Sequence, residues 1–234
     1  MKNAILTCWF NKKKDPQREF HQPADFAKIR VMCESSNSCG VKVIVFHDCF
    51  EKDVVEKYSS NLLEFVRPKE NITDGPLSTN DFRFLVYHDY LREHFFDNVF
   101  LLDASDIIVK NNPFAFIKKN KIYVGRARKN RTDQIPWMLN RLRRLYPDYP
   151  YSTRLILNAG ILGGSYDQTL KILQAMKEEI LSSRCYNDNN NNMEIFNKII
   201  YDLMDQDSII TGAPVCSVFG AYQNDREDVW FIHK

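Results

Sequence analysis

Short apolar runs alternate with predicted helices along this chain. The runs have a length that suits buried strands and cover residues 4–10, 41–46, 63–66, 99–102, 121–124 and 155–162. Helices are predicted among them at 24–32, 51–59, 78–90, 165–180 and 195–203. Strands that alternate with helices are typical of an α/β fold with a mainly parallel sheet. We therefore predict a twisted, Rossmann-like sheet that is flanked by helices.

Two serines mark the predicted starts of helices. Ser78 and Ser165 are each followed three residues later by a polar residue, Asp81 or Gln168. This spacing is typical of a capping box, in which the serine hydroxyl accepts a hydrogen bond from a free backbone amide of the first turn. The helix from Ser78 should have one apolar stripe and lead into the run at 99–102.

The apolar run at 99–102 ends at two acidic residues. Asp103 follows it directly, and Asp106 comes three residues later. An unbroken apolar run suits a strand buried on both faces, and carboxylates at its end are costly to bury without a cation. If the backbone bends between them, the two acids could hold a hard divalent ion through oxygen ligands. The alternative is a strand that ends in a turn with two solvated acids.

Arg83 lies in the first turn of the helix that starts at Ser78, away from the predicted apolar stripe. An arginine at a helix N-terminus is a candidate anion-binding group. The same arginine could instead lie at the surface and pair with a nearby acid.

A basic segment separates the runs at 121–124 and 155–162. Residues 126–144 contain seven arginines and lysines, among them Arg128 and Lys129, against one acid. The apolar residues spaced among them as in an amphipathic helix are Trp137, Met138, Leu142 and Leu145. Such a helix can meet an anionic acceptor, a membrane surface or nucleic acid, or simply have a solvated basic face. We predict an anionic acceptor, with a peripheral membrane contact as an option and no nucleic acid partner.

Length and composition indicate one globular domain. The 234 residues carry a net charge of +2, with 44% hydrophobic and 26% charged residues, so a substantial core is expected. No apolar run approaches the ~18 residues of a membrane span. The first run is short for a signal peptide, and the six cysteines lack zinc-site spacing. We expect a cytoplasmic protein, with contact to the inner face of a membrane as the option noted above.

Three stretches, in this order, resemble motifs of the GT-A glycosyltransferases, including bacterial, viral and family 8-like enzymes. Residues 99–114, with Asp103, Asp106 and a later Pro-Phe pair, resemble the strand that carries the DxD motif. Residues 157–164, Leu-Asn-Ala-Gly-Ile-Leu-Gly-Gly, resemble the strand that lines the sugar pocket. Residues 230–234 resemble the C-terminal segment whose histidine completes the metal site. The resemblance spans essentially the whole chain.

The resemblance implies transfer of a sugar from a nucleotide-diphosphate sugar, with a UDP-sugar favoured, to a glycan or lipid-linked acceptor. It implies Mn²⁺ or Mg²⁺ held by Asp103, Asp106 and His233. The residues that it assigns to the nucleotide sugar are Thr7, Trp9, Arg83, Asp103, Ala104, Asp106, Gly160, Gly163 and Lys234. Within a single catalytic domain, it implies a nucleotide-binding part, 1–110, and an acceptor-side part, 111–234, that ends in a tail binding metal and diphosphate.

Two features depart from the family pattern. The acids are spaced D-x-x-D rather than D-x-D, so one of them could bind metal only through water. The family's x-D-Q-x-x-F/L-N element lacks its aspartate at 192–197, where Asn192 and Glu194 stand. The residues predicted for catalysis are therefore Asn158, Asn192 and Glu194, with Asp188 as a further candidate.

Two other functions are open at this point. A sugar nucleotidyltransferase has a related fold but carries a glycine-rich loop after its first strand, and residues 8–12 contain no glycine. A catalytically inactive nucleotide-sugar-binding protein would share the fold, although the pair of acids and the terminal histidine disfavour it. Hydrolysis of a donor with added metal would separate an active transferase from an inactive one.

Overall fold

The computed structural model of the chain describes residues 2–182, 190–221 and 223–234. Its strands are β1 (Asn3–Trp9), β2 (Val43–His47), β3 (Leu63–Val66), β4 (Asn98–Leu102), β5 (Ile107–Val109), β6 (Ile122–Arg131), β7 (Leu155–Ser165), β8 (Ile209–Thr211) and β9 (Phe231–His233). Its α-helices are α1 (Ala27–Ser38), α2 (Lys52–Tyr58), α3 (Thr79–Glu93), α4 (Pro136–Leu145), α5 (Tyr166–Leu181) and α6 (Asn192–Leu203). In the described ranges, no helix combines the length and the apolar composition of a membrane span.

Among the described residues, the main sheet has seven strands in the order β3-β2-β1-β4-β7-β6-β8. β1 pairs in parallel with β2 and β4, and β6 pairs in parallel with β8. β7 runs antiparallel to both of its neighbours, β4 and β6. A separate two-stranded sheet joins β5 and β9 in antiparallel orientation. The predicted α/β architecture with a mainly parallel sheet is confirmed, and β7 is its reversed strand.

The central strands are buried on both faces of the sheet. Along β4, Val99 and Leu101 pack into one hydrophobic cluster, whereas Phe100 and Leu102 pack into a cluster on the other face. Successive side chains of a strand point to opposite faces, so a strand covered on both sides needs an unbroken apolar run. Helices α3 and α5 supply residues to the first cluster and α1 to the second, which explains the apolar run at 99–102.

Helix α3 begins as predicted, because Ser78 Oγ accepts a hydrogen bond of 3.1 Å from the amide of Asp81. The prediction of a single apolar stripe is wrong, since residues on several sides of the helix, including Phe84, Tyr87 and His88, are also buried. Helix α3 packs against α5 as well as against the hydrophobic cluster beside the sheet.

The ends of two other helices differ from the prediction. Helix α1 continues past its predicted end to Ser38. Ser36 Oγ donates to the carbonyl of Met32 at 2.7 Å, and such bonding to the preceding turn allows serines inside a helix. Ser165 precedes α5 but makes no side-chain capping bond, so the second capping box is wrong. The start of α5 depends instead on its buried face, which includes Leu173.

The basic segment at 126–144 is not one amphipathic helix. Its first part continues β6 as far as Arg131, because the strand pairs with β7 across register shifts. Only Pro136–Leu145 forms α4. Pairing of β6 with the central strand β7 outweighs the local sequence pattern here.

Candidate functional site

A cleft of about 600 Å³ opens at the carboxyl ends of β1 and β4. Ligands of α/β proteins bind outside these strand ends. The cleft is lined by both halves of the sheet and by the starts of α3, α4 and α6. The lining residues are Cys8, Trp9, Phe10, Asp15, Gln17, Arg18, Gln22, Thr79, Asn80, Arg83, Asp103, Ala104, Ser105, Asp106, Ala127, Ile135, Trp137, Ile156, Asn158, Gly160, Asn192, Met193 and Phe219.

Asp103 stands at the centre of this arrangement. Its amide donates to the carbonyl of Gly160 at 2.9 Å, which fixes the end of β4 against β7. One carboxylate oxygen accepts from the Arg83 guanidinium, and the other lies 4.0 Å from His233 Nε2. Burial alone raises the pKa of Asp103, but the charge of Arg83 and its hydrogen bond to the carboxylate outweigh burial and hold the pKa below its usual value. The carboxylate is therefore anionic.

Arg83 reaches the cleft from the first turns of α3. Its side chain is only 15% exposed and also donates to the carbonyl of Ala159 at 3.4 Å. Burial lowers the pKa of Arg83, but the negative charge of Asp103 has a larger and opposite effect. The pKa of Arg83 is therefore raised above its usual value. The predicted pairing with an acid is found, although the pair lies in the cleft rather than at the outer surface, and the role of Arg83 in binding an anion stays a prediction.

His233 joins this cluster because β9 pairs with β5. The pairing sets His233 opposite Ile107, directly after the acids. The imidazole is completely buried, and neither ring nitrogen has a hydrogen-bond partner among the described residues. Burial lowers the pKa of His233 more than the negative charge of Asp103 raises it. The lowered pKa keeps the ring neutral, and a neutral imidazole can ligate a metal. A buried, unpartnered imidazole beside a carboxylate fits a divalent cation.

Lys234, the last residue of the sequence, lies next to Asp106. The Asp106 carboxylate accepts from Ser105 Oγ at 2.9 Å, and its carbonyl accepts from the amide of Lys234 at 2.8 Å. The Lys234 side chain is exposed and does not line the cleft. Across the described ranges, no three His, Cys, Asp or Glu side chains are grouped to hold a metal ion. Asp103 and His233 are together, whereas Asp106 as a third ligand stays a prediction.

The two glycines of β7 assigned to the sugar have different surroundings. A Cβ atom at Gly160 would overlap the Asp103 carboxylate and the His233 ring. A Cβ atom at Gly163 would overlap the ring of Phe100, inside the core. Gly160 therefore makes room for the acid and the imidazole, while Gly163 makes room for core packing and does not line the cleft.

Two asparagines predicted for catalysis line the cleft. Asn158 Oδ1 accepts from the amide of Gly160 at 2.7 Å, which orients the side chain beside Asp103. Asn192 Nδ2 donates to Asn190 Oδ1 at 2.9 Å at the start of α6. The structure thus brings both amides to the same cleft as the acid.

Glu194 does not line the cleft. Its carboxylate is completely buried and lies 2.7 Å from Arg141 Nε of α4. Burial raises the pKa of Glu194, and the charge of Arg141 opposes this effect. The pair joins α4 to α6. Asp188, the other acidic candidate, lies outside the described residues.

The remaining residues assigned to the nucleotide sugar divide into two kinds. Trp9 and Ala104 line the cleft, and Trp9 Nε1 donates to the carbonyl of Pro23 at 2.9 Å. Thr7 is completely buried, and its hydroxyl donates to the carbonyl of Leu102 at 2.7 Å. Thr7 therefore ties β1 to β4 beneath the cleft.

Three cleft residues were not indicated by the sequence patterns. Arg18 follows β1 on a loop shaped by Asp15, whose Oδ1 accepts from the amides of Gln17 and Arg18 at 2.8 and 3.0 Å. Trp137 and Phe219 are aromatic and 57% and 38% exposed. The position of Arg18 after a strand end could have pointed to it. Nothing in the spacing of Trp137 separates it from a core residue.

The basic residues of 126–144 whose side chains are described do not line the cleft. The residues that this segment contributes to the lining are Ala127, Ile135 and Trp137. Arg131 and Arg141 each pair with an acid of the chain. The side chains of Arg128 and Lys129 lie outside the described part of the structure. The described residues therefore give no support to recognition of an anionic acceptor or a membrane by this segment.

Comparison with known proteins gives a match in fold but none in sequence. The sequence matches no protein-family model and no curated protein. Among solved structures, the fold is similar to that of the galactosyltransferase LgtC, determined in complex with donor and acceptor sugar analogs. The TM-score is 0.56 at 12% sequence identity, and the match covers 98% of this chain and 86% of that chain. At this identity the match shows the fold alone, and the chain has the GT-A-like α/β fold of a known glycosyltransferase.

Proposed function

We propose that the protein is a glycosyltransferase that moves a sugar from a nucleotide-diphosphate sugar, with a UDP-sugar favoured, to a glycan or lipid-linked acceptor. The observation that carries the proposal is the buried, unpartnered imidazole of His233 beside Asp103, at a cleft on the carboxyl ends of parallel strands. The fold similarity to an enzyme solved with donor and acceptor sugar analogs supports it.

The proposed cofactor is Mn²⁺ or Mg²⁺, held by Asp103 and His233 with Asp106 as the third ligand. When bound, such an ion supplies positive charge to a departing diphosphate. A mixed carboxylate and imidazole set suits Mn²⁺, and the carboxylates also suit Mg²⁺. Because Arg83 already contacts Asp103, this carboxylate must be shared between the guanidinium and the ion.

Two cationic side chains would assist the diphosphate. Arg83 lines the cleft and keeps its charge, and a guanidinium binds phosphate oxygens in a bidentate manner. Lys234 is exposed next to Asp106 and could turn its ammonium group towards the same charge. Fixed positive charge at the leaving group stabilises the transition state.

The sugar would lie against β7. Asn158 and Asn192 present amide groups that can donate to and accept from sugar hydroxyls, and Gly160 leaves space beside them. Trp9 and Ala104 line the part of the cleft at the ends of β1 and β4, where we place the nucleotide. Glu194 would have to leave Arg141 to take part in catalysis, so we favour the two asparagines.

A panel of nucleotide sugars tests the proposal. At least one donor should be hydrolysed slowly without acceptor, hydrolysis should stop with excess chelator, and added Mn²⁺ should restore it. Circular dichroism of the chelated protein controls for unfolding. Hydrolysis that persists in chelator would remove the metal from the mechanism.

Two other outcomes would replace the proposed function. Tight binding of UDP without hydrolysis or transfer would indicate an inactive nucleotide-sugar-binding protein. Formation of a nucleotide sugar from a nucleoside triphosphate and a sugar phosphate would indicate a nucleotidyltransferase.

A further inference from the structure

The part of the cleft formed by α4 and α6 has an exposed aromatic ring. Trp137 is 57% exposed, whereas the other two tryptophans, Trp9 and Trp230, are 6% and 4% exposed. Its neighbours in the cleft lining include Ile135 and Met193, whereas the ring of Phe219 packs on His233 with the ring centroids 4.6 Å apart. The wall formed by Ile135, Trp137 and Met193 is called the aromatic wall below.

The aromatic wall is held in place by buried charges. Arg141 follows Trp137 by one helical turn on α4 and pairs with the buried Glu194 of α6. Arg141 Nη2 also donates to the carbonyl of Asn190 at 2.5 Å. The carboxylate of Asp81 accepts from the amide of Asn190 at 2.8 Å. These contacts connect α4 to α6 and to the start of α3, and Trp137 lies on the helix that they hold.

The sheet order places the aromatic wall away from the nucleotide. Strand β4, which ends at Asp103, lies between β1 on one side and β7 and β6 on the other. The parallel strand ends of β1 and β4 are the expected nucleotide position. Trp137 follows β6, and α6 packs on β7, so the wall belongs to the opposite half of the sheet.

The chemistry of the wall suits an uncharged sugar ring. A pyranose has a face of C–H groups and an edge of hydroxyls, and the negative face of an aromatic ring attracts the positively polarised C–H groups. The asparagines at 158 and 192 lie in the same cleft and can meet the hydroxyl edge. Among the described side chains, the residues that 126–144 contributes to the lining are uncharged.

We propose that Trp137 is the acceptor platform, on which the apolar face of a neutral pyranose stacks while Asn158 and Asn192 meet its hydroxyls. This inference rests on the proposed glycosyl transfer and defines its acceptor: an uncharged sugar, recognised by its ring face.

Kinetics with a panel of methyl glycosides as acceptors test the platform. Trp137→Ala should raise the acceptor KM by about tenfold, because it removes the aromatic surface that the bound sugar would cover. Trp137→Phe keeps an aromatic ring, so its acceptor KM should stay close to that of the wild type. The donor KM should change far less than the acceptor KM. Phe95→Ala is the matched control, since Phe95 is 64% exposed and lies outside the cleft lining.

Intrinsic tryptophan fluorescence tests sugar binding at Trp137 without requiring enzyme activity. Because Trp137 is the exposed tryptophan, methyl glycosides should shift the emission of the wild-type protein and have no such effect on Trp137→Phe. A shift produced by UDP alone and by none of the glycosides would assign the ring to the nucleotide base and overturn the proposal.

The role of Trp137 and the transferase activity can be tested separately. Donor hydrolysis and transfer with an unchanged acceptor KM in Trp137→Ala would leave the proposed function standing and overturn the platform. If glycosides shift the emission but no nucleotide sugar is hydrolysed, Trp137 binds sugar and the proposed glycosyltransferase function is wrong.

Discussion

The two halves of the cleft obtain their shape in different ways. On the β1–β4 half, Asp103 is placed by a buried strand whose apolar run is visible in the local sequence. On the β6–β7 half, Trp137 and Asn192 are placed by contacts between distant segments, above all the Arg141–Glu194 pair. A charged group at a strand end can thus be located from the sequence, whereas the β6–β7 half of the cleft depends on tertiary packing.

The largest expected effect is on the β1–β4 half, at Asp103. Asp103→Asn should reduce donor hydrolysis to background, because an amide neither neutralises Arg83 nor ligates a cation as a carboxylate does. Leaving the buried guanidinium without its anion should also cost about 1–3 kcal/mol of stability. The readouts are hydrolysis rate and urea unfolding.

Asp106→Asn is the matched variant for that experiment. Among the described residues, the Asp106 side chain is hydrogen-bonded only to its neighbour Ser105. The free energy of unfolding of Asp106→Asn should therefore equal that of the wild type. If Asp106 is the third metal ligand, hydrolysis should nevertheless fall. Full activity in Asp106→Asn would limit the site to Asp103 and His233.

The second effect compares the two glycines of β7. Gly160→Ala pushes against Asp103 and His233, and displacing them should slow hydrolysis by about a hundredfold. Gly163→Ala pushes against Phe100 and should cost about 1–3 kcal/mol of stability with activity per folded molecule retained. Equal losses of activity in the two folded variants would contradict the division between a site glycine and a packing glycine.

The third effect is on the β6–β7 half, at Glu194. Glu194→Gln breaks a buried ion pair and should lower the free energy of unfolding by about 3 kcal/mol. The hydrolysis rate of the folded fraction should stay close to wild type. A double-mutant cycle with Arg141→Gln should show strong coupling in stability. Loss of hydrolysis at unchanged stability would instead make Glu194 catalytic.

The smallest effect is expected at the chain end. Lys234→Ala removes an exposed charge, worth no more than ~1 kcal/mol, and should raise the donor KM by at most about fivefold. Lys119→Ala removes a comparable exposed lysine outside the cleft and serves as control. Equal donor KM values in both variants would remove Lys234 from the diphosphate site.

The structure shows which parts of the molecule were predictable. The run at 99–102 predicted a buried strand because both faces are covered, and Ser78 predicted the start of α3 because capping is local. The continuation of β6 to Arg131 was not predictable, because it depends on pairing with β7. The contact between Glu194 and Arg141 likewise joins residues that no local pattern relates.

The β5–β9 pairing has a consequence for the order in which the molecule assembles. Ile107 and His233 become neighbours only when a long stretch of chain has closed into a loop, and such closure is slow in folding. The pairing of β1, β2 and β4 involves much earlier segments and can precede it. A folding intermediate would then have β1, β2 and β4 paired and no imidazole beside Asp103. Maturation of the centre would be a late event, observable as recovery of activity that lags behind recovery of secondary structure.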